Sequence, residues 1–289
     1  VPSAVPATDV ETNGCGEFLA SDMLKYVDNE RVLGLGETMR SMECCEGEKR
    51  MADKLELFAK KHIDGHAPGI RGKEVQAYRL AGVENDHECS TAEEVLDKLR
   101  AGLHIYVREG SGAKNLETLI KTMLDAGVCL DRCAFCTDDK HVEEIRKEGH
   151  ISTCIRKAIA LGVPVAKADK MGSYQAAEFY GLKNYGAIGA GYRADIVFLD
   201  DLEQVRPLDV MKDGRILTEE DYAKDYSVPV PDELLHTVHV GEVTKEKIRL
   251  FCDGKTDVIQ NRRPPISISR FRVTQSVSAN DIISCRRWI

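Results

Sequence analysis

Arg132-Cys133-Ala134-Phe135-Cys136-Thr137-Asp138-Asp139 is a short apolar run closed by two adjacent carboxylates. A buried strand that delivers acids to its C-terminal tip is how a barrel or an open α/β sheet presents reactive groups. Asp-Asp also opens many turns and helix caps, so the run decides nothing alone. Four earlier runs share its plan: Leu33-Gly34-Leu35-Gly36-Glu37, His62-Ile63-Asp64-Gly65-His66, Glu84-Asn85-Asp86-His87-Glu88 and Ile105-Tyr106-Val107-Arg108-Glu109. Tips carrying ligand-type or proton-transferring side chains at every strand end point to one polar site.

Working outward, segments of helical period separate these runs. Glu17 to Val27 places Phe18, Leu19, Met23, Leu24 and Val27 near one face, and Lys49 to Lys60 does the same with Met51, Leu55 and Phe58. Ser90-Thr91-Ala92-Glu93 fits a capping box ahead of Val95, Leu96 and Leu99. Ala113 to Ala126 carries Leu116, Leu119, Ile120, Met123 and Leu124. Strand candidates lie near Val1–Pro6, Val32–Gly36, Lys61–Gly65, Gly82–Asp86, Leu103–Arg108 and Arg132–Thr137. Alternation of strand and helix predicts an α/β fold, a parallel sheet with helices outside it. The step length matches a (β/α)8 barrel, which has eight units and about 250 residues, so two units are wanting. A complete six-stranded doubly wound sheet is the bland alternative; no glycine-rich phosphate loop supports it.

After a helix over His150–Leu161 and short helical pieces to Leu182, composition changes. Gly186-Ala187-Ile188-Gly189-Ala190-Gly191-Tyr192 is a glycine-rich turn, and Ala194 to Asp200 reads as a strand. Val205–Met211 and Arg215–Leu217 flank Asp213-Gly214, a strong hairpin signal. Val228-Pro229-Val230-Pro231 reads as a linker. From Gln260 to Ile289, around Arg262-Arg263-Pro264-Pro265, neither period is clean.

The balance of 40 basic and 48 acidic residues, net −8, argues against a nucleic-acid surface. No apolar run approaches the roughly 20 residues of a membrane helix. Val1-Pro2-Ser3-Ala4-Val5-Pro6 has neither a basic n-region nor an initiator Met and reads as the interior of something longer. Of ten cysteines, Cys129, Cys133 and Cys136 are close together, but two of these lie within the expected core strand and no second pair stands at zinc-knuckle spacing. Reduced thiols and a cytoplasmic setting follow.

Leu33-Gly34-Leu35-Gly36-Glu37, Asp64-Gly65-His66-Ala67-Pro68-Gly69, Asp86-His87-Glu88-Cys89, Arg108-Glu109-Gly110-Ser111 and Thr137-Asp138-Asp139 together resemble the bacterial and archaeal adenine deaminases of the amidohydrolase superfamily. The likeness runs from Val1 to about Val258 and includes Gly186 to Asp200, which looks like the superfamily's entry into its small β domain. It implies a partial (β/α)8 TIM-like barrel, about strands 3–8, at residues 1–185. A small β-sandwich module would follow at 186–227, the start of a C-terminal domain at 228–258 and an irregular tail at 259–289.

The resemblance further implies hydrolytic deamination of adenine to hypoxanthine and ammonia by two divalent metals, manganese or iron. Glu37 would bridge the metals and His66 and His87 would ligate. Asp138 would bind metal and shuttle the proton, while Asp139 and Glu109 would face the purine. Displacing ammonia needs a strong nucleophile at neutral pH, and a divalent metal lowers the pKa of bound water from about 16 towards about 7. A carboxylate beside it can take that proton and return it to the ring nitrogen or leaving amine. A small-molecule purine is then the partner, with neither nucleic acid nor membrane, and a homo-oligomer is left open.

Taken singly, each residue has a blander reading. His66 before Ala-Pro-Gly would be a turn residue, His87 part of a solvated polar cluster, and Glu37 a helix N-terminal acid. Recurrence at successive tips favours a site; His62, His104, His141 and His150 lack that support. The sequence also departs from the superfamily: no His-x-His pair occurs, since His62 and His66 are four apart and His236 and His239 three. An arc of six strands would expose two sheet edges. Low solubility and little turnover are expected of this chain unless another supplies the missing units. The alternatives are another amidohydrolase, dihydroorotase-like or guanine-type, and a non-catalytic fragment.

Overall fold

Short runs that lie between the helical segments become five parallel strands in the computed structural model, which describes residues 1–7, 16–225, 227–235, 241–242, 244, 256–262 and 267–273. The strands are β1 (Gly34–Thr38), β2 (His62–Gly65), β3 (Asn85–Asp86), β4 (His104–Arg108) and β5 (Cys133–Cys136). β1 pairs parallel with β2, and β3, β4 and β5 form a parallel sheet in that order. A backbone bond from Glu84 to Ile63 (3.0 Å) and one from Gly65 N to the Asn85 side chain (2.8 Å) carry the arc from β2 to β3. Gly65 permits this closeness: a Cβ there would strike the Asn85 carbonyl.

Helices fill the intervals: α1 (Ala20–Val27), α2 (Ser41–Glu46), α3 (Lys49–Leu57), α4 (Lys73–Leu80), α5 (Ala92–Arg100) and α6 (Leu116–Asp125). After β5 come α7 (Val142–Glu148), α8 (Ile151–Ala160), α9 (Val165–Gly172) and α10 (Tyr174–Phe179). Two apolar clusters hold the arc. Leu35, Met51, Phe58, Ile63, Val75 and Tyr78 pack around β1 and β2; Ile105, Val107, Leu119, Ile120, Met123 and Phe135 pack around β4 and β5. Each such aliphatic side chain contributes about 1.5–3 kcal/mol when fully buried.

Two expectations within the arc shift on contact with the structure. The sixth strand at Val1–Pro6 is absent: Val1 bonds both Gly34 O (2.9 Å) and Gly36 N (2.6 Å), but Pro2 and Pro6 have no N–H to extend the ladder. The capping box ahead of α5 is Thr91 with Glu94, not Ser90 with Glu93. Glu94 wins because its carboxylate also accepts from the Ser90 and Gly69 amides.

β1 carries a bulge: Leu35 to Thr38 stands opposite Ile63 to Gly65, one residue more than its partner. Leu35 lies in the apolar cluster and Thr38 bonds Tyr78 of α4 (2.6 Å), so both face the helices despite opposite parity. The intervening Glu37 is turned out of that layer.

The chain divides into two units, Val1–Leu217 and Thr218–Ile289. The first unit includes an antiparallel meander of β6 (Ile196–Leu199), β7 (Pro207–Lys212) and β8 (Arg215–Ile216), so the expected 185/186 boundary does not separate the units. Asp213 (φ 49°) and Gly214 (φ 80°) supply the left-handed pair its hairpin needs. The second unit has α11 (Glu219–Ala223), α12 (Asp232–Leu235) and a hairpin of β9 (Thr256–Arg262) with β10 (Ser267–Val273) where an irregular tail was expected. The apolar residues Ile268 and Phe271 have opposite parity, which hid a strand whose backbone pairs all the same. His236, His239 and residues 245–255 and 274–289 lie outside the described residues. Among those described, no helix is long and apolar enough to cross a membrane, and seven cysteines are free thiols.

Candidate metal centre

Glu37 is the penultimate residue of β1, His66, His87 and Asp138 follow the C-terminal ends of β2, β3 and β5, and the parallel arc aims all four tips the same way. Glu37 Oε2 lies 3.0 Å from His66 Nδ1 and 3.2 Å from His87 Nε2. The two imidazoles meet edge to face with centroids 5.2 Å apart. The bonds from His66 and then His87 hold the Glu37 carboxyl far below the usual carboxylate range, against the pull of burial. Burial opposes a charge on His87, but its bond to Glu37 and the charges of Asp86 and Glu88 outweigh that, and its pKa rises. Glu37, His66 and His87 each offer one donor atom within 4.8 Å of the others, as do His87, Glu88 and Asp138.

Two residues not singled out from the sequence join them. Glu88 Oε1 lies 3.8 Å from His66 Nδ1 and 3.6 Å from His87 Nε2. Arg108 donates to Glu88 and, over 2.7 Å, to Asp138, while Asn115 accepts from the same guanidinium. The signal for Arg108 was strand parity. Tyr106 lines the cavity, so Arg108 shares its side of β4 and Glu109 takes the other.

That parity corrects the purine-facing assignments. Glu109 is buried on the helix side, where Lys157 of α8 donates to it (2.6 Å). Asp139 accepts from the Ser111 (3.1 Å) and Gly112 (2.7 Å) amides and so braces the loop after β4. Neither lines the cavity at the tips. Asp138 does, in a left-handed conformation (φ 47°) that a non-glycine residue adopts only under local constraint. His141 and His150 precede α7 and α8; His150 Nε2 sits 2.7 Å from Thr137 Oγ1, away from the cluster.

The cavity below the tips measures about 390 Å³ and is walled by Tyr106, Phe135 and Tyr180, with Asp64, Asn85 and Cys136. Asp64 accepts from Tyr180 (2.9 Å) and Asn85 (2.5 Å). Burial pushes the Cys136 thiol far up, so it is wall rather than nucleophile.

Behind the tips lies a buried support. Tyr78 donates to Thr38 O (3.0 Å) and accepts from His66 N (3.0 Å). Asp86 accepts from Ala67 N (2.8 Å), Glu88 N (3.0 Å) and Lys98 Nζ (3.0 Å). Burial is the largest single influence and pushes the Asp86 carboxyl up, but the Lys98 and His87 charges and the bonds from Lys98 and Ala67 together outweigh it and hold the carboxyl at about 2.

Residues 46–217 match the amidohydrolase family. The adenine deaminase of Desulfitobacterium hafniense is 40% identical, the alignment covering 94% of this chain and 48% of that protein. The adenine deaminase of Clostridium acetobutylicum is also 40% identical, over 98% of this chain and 50% of the relative. The chain thus spans about half the length of the curated relatives it matches. Among solved structures, a β-aspartyl dipeptidase from Fervidobacterium islandicum shares the fold at a TM-score of 0.53 and 18% identity, over 72% of this chain and 63% of that one.

Proposed function

This chain belongs to the amidohydrolase family, and from that premise we propose that its strand tips form part of an active site for hydrolytic deamination of adenine to hypoxanthine and ammonia. The observation that carries the reading is the convergence of Glu37, His66 and His87 on one point. The 40% identity to adenine deaminases favours adenine over a dihydroorotase-like or guanine-type substrate. We take the five strands of the arc as strands 4–8 of the family's barrel, the meander as the start of a sandwich and the setting as cytoplasmic.

The donor set fits a divalent cation. One carboxylate held ionised and two imidazoles lie within reach of a single centre, and such N/O sets suit manganese, iron or zinc. Glu37, His66 and His87 would hold Mn2+ or Fe2+, which supplies an activated water and Lewis acidity when bound. A complete site of two ions needs further donors, and this sequence has no His-x-His pair to give them.

The remaining steps belong to side chains. Asp138, gripped through Oδ2 by Arg108, stands at the cavity mouth to take the proton of the attacking water and return it to the ring nitrogen or leaving amine. Tyr106, Phe135 and Tyr180 give a flat ring aromatic walls in a cavity of ligand size. Arg108 pairs with both Glu88 and Asp138 and fixes their spacing. Ammonia release from adenine with added Mn2+, measured beside ammonia release from guanine and ring opening of dihydroorotate, tests the assignment. Turnover confined to adenine is expected, and preference for either competitor would overturn it.

A further inference from the structure

Lys98 and Asp86 are both 0% exposed, and their ion pair is the most deeply buried one in the arc. Such a pair seldom adds stability, because desolvating two charges offsets their attraction and an apolar pair of like volume does as well. Its bonds show another use. Lys98 Nζ donates to Ala67 O (2.6 Å) while Asp86 Oδ1 accepts from Ala67 N (2.8 Å), so the residue after His66 is gripped at both backbone polar atoms. Asp86 Oδ2 accepts from the amide of Glu88, the residue after His87. One pair therefore ties together the two loops that carry the imidazoles.

We propose that the Asp86–Lys98 pair is a positioning device for the metal centre, holding the His66 and His87 tips at ligand spacing without touching the ion. This rests on the metal reading above and names residues that reading does not use. Loops of different strands drift unless something outside the first ring of ligands locks them, and a site about 1 Å too loose loses its ion. The pair comes from a helix and a strand, the two stiffest sources available, and reaches the histidines through backbone atoms alone.

The test compares Mn2+ affinity, by equilibrium dialysis on the full chain, with melting temperature in the absence of metal. Lys98→Met keeps the apolar stem and removes the ammonium, and is expected to weaken Mn2+ binding about 10- to 100-fold, the usual effect of losing an outer partner of a ligand. Met123→Ala, in the apolar cluster around β4 and β5, is expected to lower the melting temperature without changing Mn2+ affinity. Should Lys98→Met fail to fold, Asp86→Asn with Lys98→Met leaves no unpaired buried charge and is expected to show the same loss. Wild-type affinity in either Lys98 variant, or an equal loss in Met123→Ala, overturns the positioning role. A wild-type chain that takes up no Mn2+ overturns the metal reading instead, and the proposal with it.

Discussion

The arc has a cavity at each end, alike in size and in residue types and different in what those residues do. At the strand starts a space of about 400 Å³ is lined by His62, His104, Glu84, Asp131, Arg79 and Arg132; at the tips, about 390 Å³ is lined in part by Glu37, His87 and Asp138. At the starts the two histidines share a ring rather than an acid. His62 bonds Glu84 (2.7 Å), and both imidazoles pack tilted against Phe179, with centroids 5.3 Å (His62) and 4.4 Å (His104) away. At the tips two histidines share one acid, Glu37, and three-donor groups occur, among the described residues, only there. Histidines and acids near a cavity occur at both ends; donors that are shared and braced from behind set the tips apart as the candidate centre.

The sharpest way to break this contrast is to remove the shared acid. Glu37→Gln is expected to weaken Mn2+ binding by more than about 100-fold, beyond the loss of an outer partner, whereas His62→Gln leaves it unchanged. Equal behaviour of the two variants in dialysis would erase the distinction. Next in size is Arg108→Met. It strands the nearly buried Glu88 without its cation, and a loss of about 3 kcal/mol is expected in urea unfolding. Arg132→Met, at the other end, removes only an exposed bond to Gly102 O and should stay within about 0.5 kcal/mol. A matching small loss for Arg108 would mean that its pairs are solvated like surface ones.

The smallest effect is a slope. Burial, helped by the Arg132 charge, lowers the His104 pKa from 6.5 to about 4. The unfolded chain then binds the proton first, so His104's contribution is full above pH 6.5 and drains away as pH falls towards 4. His104→Gln should flatten unfolding free energy against pH in that window. An unchanged slope would place the acid sensitivity elsewhere.

Much of this was legible from residue order alone. Apolar runs ending in Glu or His gave five strands and four converging tips, because a parallel arc forces every C-terminal end to one side. Parity was legible too, and applying it along β4 would have exchanged Glu109 for Arg108. What could not be read was anything decided across elements. Lys98 sits four residues after Glu94 on a helix whose sequence makes it an ordinary surface lysine, and Asp86 of β3, twelve positions earlier, together with the Ala67 carbonyl explains its burial. Asp139 failed for the same reason: its partners are amides of a loop 27 and 28 residues back in the chain.

The extra residue in β1 has a consequence for how this face tolerates change. Glu37 shares the parity of Leu35 and leaves the helix side only because the strand runs one residue long before Thr38, so the outcome of a deletion depends on which residue goes. Without Gly36 plain alternation keeps the acid on the cavity side, whereas without Thr38 the acid itself falls opposite Gly65 and turns toward the helices. Loss of Thr38 rather than of Gly36 is therefore the one-residue deletion expected to take the acid out of reach of His66 and His87.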